Sequence, residues 1–363
     1  MKIINICGAR PNFMKIAPLM RAFGKRPQIQ PLLVHTGQHY DENMSNLFFK
    51  QLNIPEPDIN LEVGSGSHAV QTAEIMKKFE PIVLEHKPDM VLVVGDVNST
   101  IACGLVAVKL GVRLVHVEAG LRSFDRGMPE EINRVLTDSI SDDLFVTEPS
   151  GMENLKREGV PDERVHLVGN VMIDTLRANL DKARESDILA RLDLKPRQYA
   201  VATLHRPSNV DDPKVFGRIL DAFDHIQRDM PIVFPMHPRT LHNLAKIGLK
   251  DRVDSMKRLR VIEPQGYLDF LRLTGDACCV LTDSGGIQEE STILGVWCLT
   301  LRENTERPVT IDQGTNTLVG TQTDRIIAAY DQCRKAPPPT DRVPALWDGQ
   351  AAERIADILL RYA

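Results

Sequence analysis

The sequence predicts an α/β fold of two domains, each an open parallel sheet covered by helices and facing the other across a cleft. Three observations predict it. The chain has 363 residues, beyond the size at which one hydrophobic core usually stops growing. Short apolar, β-rich runs alternate with longer helical patterns, which is βαβ repetition. The alternation restarts after Gly169-Asn170. Two Rossmann-like domains follow: residues 1–170 with a returning helix in 349–363, and residues 171–348. The C-terminal ends of the strands line the cleft, where such sheets bind ligands.

Taken in order, the first-half strands are predicted at residues 3–7, 32–35, 90–94, 113–117, 144–146 and 165–168. Helical patterns lie between them, for example at 69–85 and 99–110. Each strand is a near-continuous apolar run, as expected for a sheet buried on both faces. Met1 to Ile6 reads as the start of the first strand rather than a signal peptide. Second-half strands are predicted at 199–203, 232–235, 261–262, 277–281 and 298–300. Lys335 to Pro344 is proline-rich and reads as an extended surface connector. An amphipathic helix over 350–361 follows and returns to the first domain.

Composition narrows the function classes. Hydrophobic residues make up 42% and charged residues 26%, with a net charge of −5. That balance disfavours a nucleic-acid partner, and any anion needs a local positive site. No apolar stretch is long enough to span a bilayer. The six cysteines form no CxxC or Cys/His cluster and read as buried thiols of a reducing cytoplasm. There is no G-x-G-x-x-G after the first strand, no P-loop lysine and no metal-ligand cluster. No cofactor is expected.

The informative polar residues fall just past predicted strand ends. Gly8-Ala9-Arg10-Pro11-Asn12, with Lys15 beyond, follows the first strand, and Thr36-Gly37-Gln38-His39 the second. Gly95-Asp96 and Glu118-Ala119-Gly120-Leu121-Arg122 end two more. Met128-Pro129-Glu130-Glu131 opens a helix that carries Arg134. Three carboxylates, Asp96, Glu118 and Glu130, thus gather at one sheet mouth. Close, partly desolvated carboxylates split their pKa values into a base and an acid. Each also has an ordinary reading: Asp96 as a helix N-cap, Glu118 as a partner of Arg122 or Arg134, Glu130 as a first-turn glutamate. His116 and His68 read as packed or surface histidines. In the second half, His205-Arg206-Pro207 and Met236-His237-Pro238 follow strands directly, and His205 suits phosphate binding or proton transfer.

The most telling stretch is Asp283-Ser284-Gly285-Gly286-Ile287-Gln288-Glu289-Glu290. A buried strand runs into two N-cap residues, two glycines and a helix. Such a terminus presents free N–H groups to a phosphate, and the glutamates one turn in can reach sugar hydroxyls. An ordinary strand-to-helix turn with glycines for close packing fits equally well.

Together these islands, with Thr305-Glu306-Arg307-Pro308, resemble the non-hydrolysing UDP-N-acetylglucosamine 2-epimerases over essentially the whole chain. The resemblance implies a fold like that of B-type glycosyltransferases and a reversible C2 epimerisation of UDP-N-acetylglucosamine to UDP-N-acetylmannosamine. It implies elimination of UDP and re-addition through a glycal, behind a closing cleft hinged near Gly169-Asn170. It gives Asp96, Glu118 and Glu130 as catalytic carboxylates and His205 as the histidine near the diphosphate. Arg10, Ser284, Gly285 and Gly286 become phosphate contacts and Glu290 the ribose contact. Lys15, Gln38, His39, Gln71 and His237 fall in regions lining the substrate or a second, regulatory substrate site. Arg122, Arg134, Phe270 and Arg307 complete the candidate substrate-binding set. The family is usually dimeric, so a homodimer is expected. Ala9 and Asn12 replace a usual threonine and glutamate, and the Phe124–Met128 loop also resembles a branch acting on UDP-2,3-diacetamido-glucuronic acid. A hydrolysing relative, a glycosyltransferase of the same architecture and a non-catalytic nucleotide-sugar sensor are the competing readings.

Overall fold

The computed structural model describes residues 1–37, 52, 54–236, 238–339 and 342–363, apart from the side chains at 10, 11, 238 and 239. Two compact α/β units result, Met1–Ala178 with Ala345–Ala363 and Asn179–Pro344. The divisions expected from the sequence lie at 170/171 and 348/349.

Unit 1 holds seven parallel strands: β1 (Lys2–Cys7), β2 (Gln30–His35), β3 (Ile59–Asn60), β4 (Met90–Val94), β5 (Arg113–Ala119), β6 (Asp143–Val146) and β7 (Val165–Leu167). Their order is β3-β2-β1-β4-β5-β6-β7. Unit 2 repeats the plan with β8 (Ala200–Thr203), β9 (Ile232–Pro235), β10 (Leu259–Ile262), β11 (Cys279–Thr282), β12 (Trp297–Thr300) and β13 (Asn316–Leu318), in the order β10-β9-β8-β11-β12-β13. Both are doubly wound Rossmann-like orders. Each has a switch point where the winding reverses, between β1 and β4 and between β8 and β11, and there such sheets bind ligands. The fold is thus the predicted two-domain α/β class with parallel sheets.

Why these residues form a sheet is plain in β4, Met90-Val91-Leu92-Val93-Val94, where every residue is buried. It sits between β1 and β5, with Ile3 opposite Met90 and Val94 opposite Val117. Helices cover both faces, so the strand has no polar side to show. The structure adds β3 and β13 to the expected strands.

The C-terminal helix Ala351–Leu359 returns to unit 1. Buried Asp174 accepts from Ala351 N at 3.1 Å and Ala352 N at 2.7 Å, capping its start. Arg26 bonds Glu353 and Asp357 on its outer side, and Trp347 Nε1 donates to Thr147 O. No described helix is long and apolar enough to cross a membrane.

Candidate active site

In unit 1 the polar residues collect past the C-terminal ends of β1, β4 and β5. Asn12 folds the first loop: its Oδ1 accepts from Gly8 N and Ala9 N, and its Nδ2 donates to Val94 O at 3.0 Å. The loop after β1 is thereby tied to the end of β4 across the switch point. The helix Arg10–Gly24 then carries Lys15 inward. Lys15 Nζ lies 2.6 Å from Glu118 Oε2, with the two side chains 6% and 2% exposed. Gly95 is required by this contact, since a Cβ there would sit 2.7 Å from Lys15 Nζ, and its φ is +67°.

Glu118 stands on a bulge of β5, where the register to β6 shifts between Val117 and Ala119. Its φ is +73°, a left-handed conformation that costs a non-glycine residue about 1–3 kcal/mol and persists where its surroundings enforce it. Asp96 is a quarter exposed, and Arg134 Nε lies 3.5 Å from its Oδ2. Arg134 also bonds Glu131 Oε2 at 3.1 Å. Lys15 thus faces Glu118, and Arg134 is shared by Asp96 and Glu131. The ordinary readings of two residues fall away: helix Asn98–Lys109 has Val97 at its cap position with no side-chain bond, and Glu118 pairs with Lys15 while Arg122 and Arg134 bond other carboxylates.

The two adjacent glutamates separate clearly. Glu130 is exposed in the first turn of helix Pro129–Ile140. Glu131 is buried and accepts from Ser123 N, Ser123 Oγ and Phe124 N, which fixes the loop ahead of the helix. Arg122 is committed within the unit, 1% exposed, with Nη1 2.7 Å from Asp138 and a two-pronged bond to Glu158. Gln71, a candidate lining residue, accepts from Asn98 Nδ2 at 2.8 Å and donates to Gly64 O.

In unit 2 the corresponding groups collect past β8 and β11, whose ends pair Thr203 with Thr282. Asp283 is fully buried. It accepts from His205 N, Arg206 N and Asn209 Nδ2, and its Oδ1 is 2.9 Å from His205 Nδ1. Burial alone would raise this carboxyl; the His205 side chain and the two backbone donors outweigh it and hold it below the usual range. His205 itself is 59% exposed, so the rest of its ring is open to a ligand. The expected N-cap is corrected here. Ser284 makes no side-chain cap to helix Gly285–Leu294, and Asp283 organises the 205–209 turn instead.

Gly285 is crowded: a Cβ would lie 2.8 Å from Glu306 Oε1 and 2.9 Å from Arg307 Nη1. Arg307 in turn bonds Glu289 at 2.7 Å and Glu306 at 2.8 Å, and Arg302 bonds Glu306 at 2.8 Å. A lattice of buried charge therefore stands beside that helix start. Glu290 differs from Glu289 in facing Tyr267 Oη at 3.3 Å rather than an arginine. Burial pushes its carboxyl up to about 8. Phe270 is half-buried against the apolar cluster on that side of the sheet. Gln38, His39 and His237, and the side chain of Arg10, lie outside the described residues.

Sequence reasoning missed Asn12, Glu131, Asp138 and the bond from Asp283 to His205 as organisers. Asn12 and Glu131 stood inside motifs already singled out. Asp138 had a signal in its spacing, since it lies one turn beyond Arg134 on the same helix face.

The chain is similar to known proteins over nearly its whole length. The profile of the UDP-N-acetylglucosamine 2-epimerase family matches residues 21–360. The UDP-N-acetylglucosamine 2-epimerase of Methanocaldococcus jannaschii is 44% identical over 336 residues, 91% of this chain and 92% of its own. The crystal structure of the M. jannaschii UDP-GlcNAc 2-epimerase in complex with UDP-GlcNAc and UDP is 43% identical, covers all of both chains and superposes with a TM-score of 0.93. The UDP-2,3-diacetamido-2,3-dideoxy-D-glucuronate 2-epimerase of Pseudomonas aeruginosa is 41% identical over 99% of this chain and 100% of its own. A chain matched end to end, with acidic groups at one switch point and a glycine-led helix at the other, belongs to the UDP-N-acetylglucosamine 2-epimerase family.

Proposed function

We propose that this chain catalyses the reversible C2 epimerisation of UDP-N-acetylglucosamine to UDP-N-acetylmannosamine, by eliminating UDP and adding it back through a glycal. The observation that carries this reading is the buried Lys15–Glu118 pair on a strained strand end beside the Asp96–Arg134 pair. A binding module has no need of carboxylates held at such cost. C2 of the sugar has no neighbouring carbonyl, so its proton is too weakly acidic for an enolate route. As the C1–O bond breaks, its electron pair leaves on the UDP oxygen and C1 gains oxocarbenium character. The C2 proton passes to a base, and its bonding pair becomes the C1=C2 double bond. In the return step the UDP oxygen attacks C1 and an acid protonates C2 from the opposite face.

Asp96, Glu118 and Glu130 of unit 1 supply the acid–base groups, each worth about 10²–10⁴ in rate. Arg10, His205 and the Ser284–Gly286 helix start hold the diphosphate; losing one such donor costs about 10²–10³. Glu290 receives the ribose hydroxyls. UDP-2,3-diacetamido-2,3-dideoxy-D-glucuronate is the second substrate reading, favoured by the 41% identity to the P. aeruginosa relative across 99% of this chain. Proton NMR of the purified protein with each sugar separates the two. Turnover of the first alone supports the main reading, turnover of the second alone replaces it, and release of free sugar with UDP contradicts both.

The working form is a homodimer. Helix Asn98–Lys109 lies between helices His68–His86 and Pro129–Ile140. It presents Ile101, Leu105 and Val108 on one side, with Leu136 48% exposed on its neighbour. A contiguous apolar face of this kind suits a partner, and a second copy is the partner the family habit suggests. All six cysteines are unpaired, which suits a reducing cytoplasm.

A further inference from the structure

His116 is the one wholly buried histidine among the described residues, and the acid–base scheme above does not use it. It lies on β5 two residues before Glu118, and both of its ring nitrogens are engaged. Nε2 is 2.8 Å from Gly95 O and Nδ1 is 2.6 Å from Asp138 Oδ1. The other oxygen of Asp138 accepts from Gly120 N at 3.0 Å and is 2.7 Å from Arg122 Nη1. Gly95 is held from its other end as well, since its N–H donates to Val117 O at 3.0 Å.

These bonds meet at three places. Gly95 immediately precedes Asp96. Gly120 closes the bulge that carries Glu118. Asp138 lies on the helix whose first turn carries Glu130 and whose inner face carries Arg134, the partner of Asp96. The three carboxylate-bearing segments come from separate stretches of chain, and one side-chain pair touches all of them.

The protonation of the pair follows from its neighbours. A carbonyl oxygen can only accept, so Nε2 carries a proton. Burial alone would raise the Asp138 carboxyl, but His116 and Arg122 hold it below the usual range. Nδ1 meets the Asp138 carboxyl at 2.6 Å.

We propose that His116 and Asp138 are positioning residues: a buried imidazole–carboxyl pair that locks the Asp96 turn, the Glu118 bulge and the Glu130 helix into one acid–base frame. This rests on the epimerase reading of the same site. The pair touches no reacting atom. It acts through the backbone at Gly95 and Gly120, where small displacements matter because misplacing a reacting group by about 1 Å can cost about 10²-fold in rate.

The test uses the full-length protein and the variants His116→Gln and His116→Asn. A glutamine amide reaches the Nε2 position and keeps the donor to Gly95 O; an asparagine amide stops at the Nδ1 position and loses it. H116N is expected to lower kcat by about 10²-fold, leaving KM and the Kd for UDP within about threefold, because His205 and the Ser284–Gly286 helix start sit on unit 2 and the pair touches neither. H116Q is expected to recover at least about tenfold of that loss. A folded H116N with kcat within about threefold of the parent overturns the proposal. So does a parallel loss of kcat, UDP binding and melting temperature, which marks a purely structural pair. Nitrogen-15 NMR of the wild-type imidazole, assigned by its absence in H116Q, is the readout independent of turnover. A proton on Nε2 is expected, and an Nε2 without one overturns the proposal even if both variants fail to fold. Inactivity of the wild type on UDP-sugars counts against the epimerase reading alone; the ring's protonation still decides the positioning claim.

Discussion

Removing the Lys15 ammonium, by Lys15→Met, is the perturbation whose size the structure fixes best. Its Nζ is 2.6 Å from Glu118 Oε2, and both side chains are nearly solvent-free at 6% and 2% exposure. Methionine keeps most of the stem and its packing, so the change is chiefly one of charge. Taking one partner from a buried pair costs about 3–5 kcal/mol. For a domain of about 150–250 residues each kcal/mol moves the midpoint by about 2–4 °C, so a drop of roughly 6–20 °C is expected for unit 1. The double variant Lys15→Met/Glu118→Gln removes both charges and should recover most of the stability while remaining inactive. Thermal unfolding followed by circular dichroism reads the first quantity, and a double-mutant cycle reads the coupling. If Lys15→Met costs less than about 1 kcal/mol, the pair behaves as an exposed ion pair and the reasoning fails. Strict additivity in the double variant refutes it as well.

Three further outcomes follow from other contacts. Asp283→Asn takes the carboxylate that holds His205 and should weaken UDP binding and slow turnover by about 10²-fold. Because the folded Asp283 carboxyl is held below its unfolded value, it contributes stability above the ordinary aspartate range near 3.9, and that stability is lost as pH falls through the lower folded value. The wild type should therefore lose this share on acid titration and the variant should not. Glu290, pushed up to about 8 by burial, is mostly protonated at neutral pH. Ribose donors favour its carboxylate, so UDP binding should release a proton and tighten as pH rises toward about 8; calorimetry in two buffers of different ionisation enthalpy measures it, and Glu290→Gln should abolish it. Val108→Glu with Leu136→Glu places charge on the apolar face of unit 1 and should halve the mass seen by light scattering without lowering the melting temperature of the unit.

Much of this was legible in the chain because parallel sheets write themselves as apolar runs. Met90 to Val94 is buried at every position, and the span predicted from sequence is the span observed. The strand at Cys279–Thr282 was expected two residues earlier: Ala277 and Cys278 are apolar too, and composition cannot tell a strand from its lead-in. β3 and β13 were missed because they are edge strands of two and three residues with polar members. In the candidate site, the loops were legible as polar islands after strands, but their pairings were not. Glu130 and Glu131 are identical in type and adjacent, and only the loop at Ser123–Phe124, brought close by tertiary structure, makes one buried and the other exposed. Lys15 finds Glu118, some hundred residues away, because Gly95 leaves room for it. No local pattern encodes that. His116 read as an ordinary packed histidine, which its burial supports; what it packs against gives it more to do.

Breakage and re-formation of the C1–O bond is the step on which the whole mechanism turns, and positional isotope exchange examines it directly. UDP-N-acetylglucosamine labelled with oxygen-18 in the bridge between C1 and the β-phosphorus is incubated with the protein and followed by phosphorus-31 NMR. Elimination frees the β-phosphate to rotate before it re-adds, so the label should appear in non-bridging positions while C2 inverts and takes up solvent deuterium. Inversion at C2 with the label still wholly in the bridge would contradict the account.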